Sequence, residues 1–243
     1  MQNNNNNTLH GLPSEVIFCK RCIMSNQRPG SVVEFKNSGK ENKPTIGFSN
    51  DEICDACKYH DIKEKEIDWE KREYQLSKLC EKFKSRNGSY DVIVPGSGGK
   101  DSIVVGHLLK YKYDMNPLTV TWAPHIYTEI GWYNLKKWIS AGFDNILITP
   151  NSKFHKYLTK ISFMNLCHPF QPFIIGQRIC GPKYAAMHNV PLVMYGEHAA
   201  EYGDRMNEAF SSKMEDKYYV YEKNIDKLVL GGESAKEIIS KNA

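Results

Sequence analysis

Tyr90-Asp91-Val92-Ile93-Val94-Pro95-Gly96-Ser97-Gly98-Gly99-Lys100-Asp101-Ser102 decides how the rest of the chain reads. An apolar, β-branched run enters a loop of Gly and Ser. Beyond it Ile103, Val104, His107, Leu108 and Tyr111 recur on one face of a helical pattern. Strand, small-residue loop and helix start together form a geometry that holds a phosphate. Glycines let the backbone turn and approach an anion closely. The first N–H groups of a helix lack internal partners and point at such a ligand. Lys100 adds positive charge, and Ser97 and Ser102 add hydroxyl donors.

Two common phosphate loops do not match. A Walker loop needs Gly-x-x-x-x-Gly-Lys-Ser/Thr, but Gly99-Lys100 is followed by Asp101, and Val94 stands five before Gly99. The dinucleotide fingerprint needs Gly or Ala three after Gly98, where Asp101 stands. Ser97-Gly98-Gly99-Lys100-Asp101-Ser102 instead resembles the Ser-Gly-Gly-x-Asp-Ser loop of the PP-loop ATP pyrophosphatases. Members of that superfamily split ATP into AMP and pyrophosphate by adenylating a substrate oxygen. An acid in the loop suits this chemistry, because pyrophosphate leaves with Mg²⁺ and a carboxylate holds that ion. The bland alternative is a glycine turn before an ordinary helix; the agreement of strand, loop and helix weighs against it.

The 243 residues suffice for one α/β domain and a small appendage, and 41% hydrophobic residues support a real core. A net charge of +4 suits an anionic small substrate and is too weak to argue for nucleic acid. No stretch reads as a signal peptide or approaches transmembrane length, so a cytoplasmic protein without membrane insertion is expected. In a reducing cytoplasm, seven cysteines imply metal or redox chemistry rather than disulfides.

Residues 2–7 are nearly all Asn and are expected to be disordered. Cys19-Lys20-Arg21-Cys22 and Cys54-Asp55-Ala56-Cys57 are two C-x-x-C knuckles, spaced to close a tetrahedral shell around Zn²⁺. The stretch between them is rich in Gly and Pro and poor in apolar residues, so a metal would supply its stability. The alternatives are an iron–sulfur cluster, redox pairs or four plain thiols; His60 is a possible substitute ligand. Residues 61–87 are charged, with Ile67, Tyr74, Leu76, Leu79, Cys80 and Phe83 at helical spacing. They read as one amphipathic helix ended by Asn87-Gly88.

From Tyr90 onward strands and helices alternate, which predicts a parallel sheet with helices on both faces. Strands are expected at 91–95, 117–122, 145–149 and 191–195, and helices at 101–113, 130–141, 152–164 and 173–188. Ligands of such sheets sit beyond the carboxyl ends of the strands, where strand order reverses. Thr121-Trp122-Ala123-Pro124 should therefore neighbour the nucleotide. Arg178 and Lys183 are placed either to reach phosphates or as surface charges. Gly196-Glu197-His198-Ala199-Ala200-Glu201-Tyr202-Gly203-Asp204 follows the last strand. Its acids and histidine suit a metal or substrate site; the alternative is a polar loop capping a helix. Leu228-Val229-Leu230-Gly231-Gly232 reads as an apolar turn and Ser234-Ala235-Lys236-Glu237 as the start of a short helix.

Taken together, the two knuckles, Arg28-Pro29-Gly30, the loop 95–102, Thr121-Trp122-Ala123-Pro124, Gly142-Phe143-Asp144-Asn145 and Gly196-Glu197 with Glu201-Tyr202-Gly203 resemble the N-acetyl sugar amidotransferases. These serve bacterial surface-polysaccharide (lipopolysaccharide O-antigen) and nonulosonic-acid biosynthesis. The resemblance runs from about residue 17 to about 232. It implies an Asn-rich tail over 1–14, a zinc-knuckle region over 15–66, a linking helix over 67–89 and a PP-loop domain with the adenine nucleotide alpha hydrolase-like fold over 90–243. Members of the family are longer, so it also implies a C-terminally truncated form. The implied reaction converts an acetamido group to an acetamidino group through an O-adenylyl imidate, with ATP, Mg²⁺ and structural Zn²⁺ as cofactors.

The same resemblance assigns roles. Gly96, Ser97, Gly98, Gly99 and Ser102 hold phosphate, Lys100 supplies charge, and Asp101 and Glu197 hold Mg²⁺. Thr121 and Trp122 lie by the adenine. Zn²⁺ takes Cys19, Cys22, Cys54 and Cys57. Ammonia attack requires a nitrogen source, and none of Cys80, Cys167 and Cys180 has the setting of a glutaminase nucleophile. A separate glutaminase subunit is therefore expected as a partner, beside the N-acetyl sugar substrate. The rival is a PP-loop tRNA thiolase. It would need a C-x-x-C pair where only Cys180 stands, with Gln177 in the partner position, and a basic stripe that the chain lacks.

Overall fold

The computed structural model describes residues 12–30, 33–39, 44–198, 206, 210–211, 213–218 and 224–242. The Asn-rich stretch 2–7, Ala199-Ala200 and Glu201-Tyr202-Gly203-Asp204 lie outside them. Packing divides the chain into two units. The described residues within 1–33, 40–69 and 198–214 form one, and those within 34–39, 70–197 and 215–243 the other.

The first unit has little core of its own. Cys19, Ile46 and Cys54 are buried, with Met24, Phe48 and Ile53 packed on them. Single antiparallel bridges, Phe18 to Ser25 and Phe48 to Cys54, shape its loops. Helix α1 (Asp55–Lys65) starts directly after Cys54 and so carries Cys57 in its first turn. Arg21, between the first two cysteines, grips Asp61 of α1 through both guanidinium nitrogens. Tyr59 is buried, packs on Met206 and stacks on His198 with centroids 5.7 Å apart.

The continuous helix expected over 61–87 is two helices. Glu66 ends α1 by donating its N–H to Ile62 O, and α2 (Trp69–Phe83) begins three residues later. Periodicity carries across the break because Ile67 keeps the helical spacing. Asp68 is the residue type that starts a new helix, and the Trp69 indole N–H donates to Lys63 O at 2.9 Å.

The second unit is mixed α/β around a small parallel sheet. Strands β1 (Val92–Pro95), β2 (Pro117–Trp122) and β3 (Asp144–Ile148) pair in that order, Ile93 with Leu118 and Thr119 with Asn145. Between them run α3 (Lys100–His107), which widens into a π turn over Leu108–Lys112, and α4 (Glu129–Ser140). After β3 come α5 (Ser152–Leu166) and α6 (Gln171–Met187). Side chains alternate across a strand, and β1 sorts accordingly. Val92 and Val94 join Leu109, Leu135, Trp138 and Phe143, whereas Ile93 joins Leu118, Val120, Cys180 and Ala185 of the α6 side. Both faces of the sheet are thus covered by helices.

The strand expected at 191–195 reduces to one parallel bridge, Val193 to Ile93, on the edge of β1 opposite β2. Pro191 cannot donate to a ladder and Gly196 closes the run, which leaves little to pair. Helix α6 nevertheless locks this segment. Pro182 lies inside α6 and has no N–H for the carbonyl four residues back. That carbonyl, Arg178 O, accepts instead from the Tyr195 hydroxyl at 2.9 Å.

The apolar stripe Ile103, Val104, Leu108 and Tyr111 of α3 is exposed. The helix packs through Ser102, Gly106 and Leu109. Gly106 lets the rings of Phe143 and Trp138 approach, both within 3.5 Å of where a Cβ would stand. Toward the end of the chain, β4 (Val229–Leu230) and β5 (Glu233–Ser234) form a hairpin through Gly231 and Gly232, both at positive φ. Helix α7 (Ala235–Asn242) follows. Ser234 Oγ accepts from Glu237 N while Glu237 Oε2 accepts from Ser234 N, a reciprocal cap. Among the described residues, no helix is long and apolar enough to cross a membrane.

Candidate functional site

The strand order reverses at β1. The chain leaves β1 toward β2 and β3, then returns through α5 and α6 to Val193 on the other side. Gly96–Ser102 and Gly196–Glu197 emerge on either side of that reversal, at the carboxyl ends. They also touch: a Cβ on Gly196 would come within 2.8 Å of the Asp101 carbonyl carbon.

The loop's glycines answer to different demands. A side chain on Gly96 would collide with Ser102 in the first turn of α3. Gly98 sits at φ +81, and its Cβ would stand 2.8 Å from Asn134 O. Gly99 is under neither constraint, since its φ is −74 and its Cβ would meet nothing nearer than Ser97 Oγ at 3.9 Å. Packing within the chain does not account for a glycine at 99. Its missing side chain leaves open space at the head of α3, where Gly99 as N-cap offers no side chain of its own to the helix. An anion at a helix N-terminus has room there. Ser102 Oγ donates to Gly99 O at 3.1 Å. Lys100 Nζ and Asp101 Oδ1 are 2.8 Å apart and exposed, so this pair contributes little stability and leaves both groups at the surface.

Burial of its carboxyl, reinforced by the like charge of Asp101, raises Glu197 above the usual carboxylate range, while Arg178 pulls it down. Asp101, Glu197 and Arg178 therefore form one electrostatic cluster. Two neighbouring carboxylates at a strand end are a donor set that fits a divalent cation.

Other expected residues fall elsewhere. Thr121 is fully buried in the sheet, its Oγ1 accepting from Asn145 Nδ2 at 3.0 Å. Trp122 lies flat on Gly176 of α6, which has no side chain to displace it. It lines a cavity of about 380 Å³ between α5, α6 and the ends of β2 and β3. Lys183 also lines this cavity, five residues beyond Arg178 and therefore on a different face of α6. None of the loop residues 96–102 lines it. Sequence reasoning missed Phe154, His155 and Gly176 of its walls. They sit in ordinary helical patterns, and only packing brings them together.

The four knuckle cysteines converge in the first unit, their sulfurs all within 4.8 Å of one another. Cys19 Sγ lies 3.9 Å from Cys57 Sγ, and Cys22 Sγ 3.6 Å from Cys54 Sγ. A tetrahedral site with Zn–S bonds of about 2.3 Å has edges of about 3.8 Å, whereas a disulfide needs about 2.05 Å. Burial raises the Cys19 thiol, yet the N–H groups of Cys54, Arg21 and Cys22 outweigh it and hold it at about 6. Burial and the neighbouring thiols push Cys57 up to about 12. Four such sulfurs can hold a metal ion such as zinc in a closed shell, with Arg21 N and Met24 N donating to Cys19 Sγ and Cys22 Sγ.

No family model matches the chain. Over 84 residues it is 32% identical to an uncharacterized protein, MJ1599, of Methanocaldococcus jannaschii. That match spans 33% of this chain and 28% of the relative's length.

Proposed function

We propose that this protein is an ATP-dependent N-acetyl sugar amidotransferase of surface-glycan biosynthesis, built on a PP-loop domain and acting in the cytoplasm. The observation that carries the reading is the open space at Gly99 beside Asp101 and Glu197, which meet across the reversal of strand order.

An amide carbonyl is a poor electrophile. Its oxygen attacks the α-phosphorus of ATP, the bond to the bridging oxygen breaks, and pyrophosphate leaves. Gly96, Ser97, Gly98, Gly99 and Ser102 hold the phosphates, with Lys100 and Arg178 adding positive charge. Asp101 and Glu197 would hold Mg²⁺, which neutralises charge on the departing pyrophosphate. Ammonia then adds to the imidate carbon, a proton is lost, and the C–O bond to AMP breaks to leave the amidine. The residues contribute positioning and charge neutralisation at phosphorus. A separate glutaminase supplies ammonia.

The test is AMP and pyrophosphate release with ammonium and a panel of nucleotide-linked N-acetyl sugars and nonulosonic acids. Substrate-dependent AMP is expected, with an amidine product of matching mass; failure across the panel overturns the reading. The tRNA thiolase alternative has less support. Cys180 is buried, and its thiol, pushed up to about 11 by that burial, donates to Gln177 O.

A further inference from the structure

We propose that the aromatic cluster at the mouth of the α5–α6 cavity is the platform for the acceptor's N-acylated pyranose ring. The cluster is continuous. His155 lies 4.7 Å from His125, and His125 in turn lies 6.1 Å from Phe170, ring on ring, and 5.8 Å from Phe173. Trp122 and Phe154 extend it into the cavity. All of it lies past the carboxyl ends of β2 and β3, the end of the sheet where ligands of open parallel sheets bind.

Phe170 is 56% exposed and Phe154 43%, beside a cavity of about 380 Å³. Exposed aromatic surface of this kind next to a cavity of ligand size marks a binding site. The walls select the ligand. The cavity wall is mostly apolar, with Asn151, Lys183 and Tyr184 among its few polar side chains, so most of it offers no directed partner for the edge of a nucleobase. A pyranose ring needs none on its C–H face. It offers apolar C–H bonds and an acetyl methyl to the aromatic rings while its hydroxyl rim stays in water. The choice of a sugar rests on the proposed function; the existence of the platform does not.

The experiment is saturation-transfer NMR on the whole chain, with the methyl glycoside of N-acetylglucosamine as one probe and ATP as the other. Phe170→Ala and His125→Ala serve as variants, since both side chains are exposed and their removal leaves the fold intact. The acetyl methyl and ring protons should be saturated by the parent protein. Affinity should fall about fivefold in Phe170→Ala, with the adenine protons of ATP unaffected. No sugar signal on the parent, an unchanged sugar signal in both variants, or loss of the adenine signal instead would overturn the proposal. Sugar binding that maps to Phe170 without any AMP release would remove the amidotransferase reading and keep the platform. AMP release without a mapped sugar signal would do the reverse.

Discussion

Asp101 differs from the other loop residues in what its side chain can do. Packing explains Gly96 and Gly98, but nothing in the fold needs a carboxylate at 101, which is half exposed beside Lys100. Asp101→Asn should therefore fold as the parent and lose AMP formation by about a hundredfold or more, measured as AMP release with ammonium. Glu197 carries a pH signature. Burial and the charge of Asp101 raise its carboxyl, so the ionised form that the proposed cation role needs is reached at higher pH than for an ordinary carboxylate. Activity should rise with pH through that elevated value. Arg178→Met removes the pull in the other direction, so its pH profile should move to higher pH; a shift to lower pH would contradict the assignment. The local setting of Asp101 was legible in the sequence, because an apolar β-branched run, glycines and a helical pattern follow one another there. The setting of Glu197 was not, since its like-charge neighbour is ninety-six residues away. Gly176 was equally invisible. Gly176→Ala should cost about 1–3 kcal/mol in urea unfolding, because the methyl group displaces Trp122.

Among the elements, α6 makes the most specific statement. Pro182 removes the N–H that Arg178 O would accept, and Tyr195 replaces it. Tyr195→Phe should cost about 1–3 kcal/mol, the price of an unpaired carbonyl. In a Pro182→Ala background the introduced alanine supplies the N–H, so the same Tyr195→Phe change should cost much less in a double-mutant cycle. The knuckle unit makes a second. Among its described residues few apolar side chains are buried, and a metal on the four sulfurs would add the missing stability, so elemental analysis of the purified chain should find about one zinc per molecule. Cys54→Ser should lose the metal and the hydrogen-exchange protection of α1; retained zinc with full protection would count against the closed four-sulfur shell. Helix positions after Tyr90 followed the sequence pattern closely because strands and helices there alternate. The break between α1 and α2 did not, because three residues of turn leave the apolar spacing undisturbed. The outward stripe of α3 was misleading for a related reason. Apolar periodicity marks a face but not which way it points, and small Ser102 and Gly106 gave the closer fit to Trp138 and Phe143.

For the whole molecule, the proposed amidotransfer needs a source of nitrogen. Cys80 and Cys180 are buried with thiols raised by that burial, and Cys167 ends α5 in a left-handed turn between two helices. None is poised as a nucleophile. The purified chain should turn over with ammonium and not with glutamine, and adding a glutaminase partner should restore glutamine use; glutamine-dependent turnover by the chain alone would refute this. By itself the sequence determined the strand, small-residue loop and helix start around Gly96–Ser102, the alternation of strand and helix, and the two cysteine pairs. Each is a local pattern whose chemistry depends on neighbours in the chain. Only the tertiary structure decided that the four sulfurs converge, that strand order reverses beside the loop, and that Phe154, His155 and Gly176 line one cavity. Those facts depend on contacts between residues far apart in the chain, which hydrophobic burial selects and no local spacing encodes.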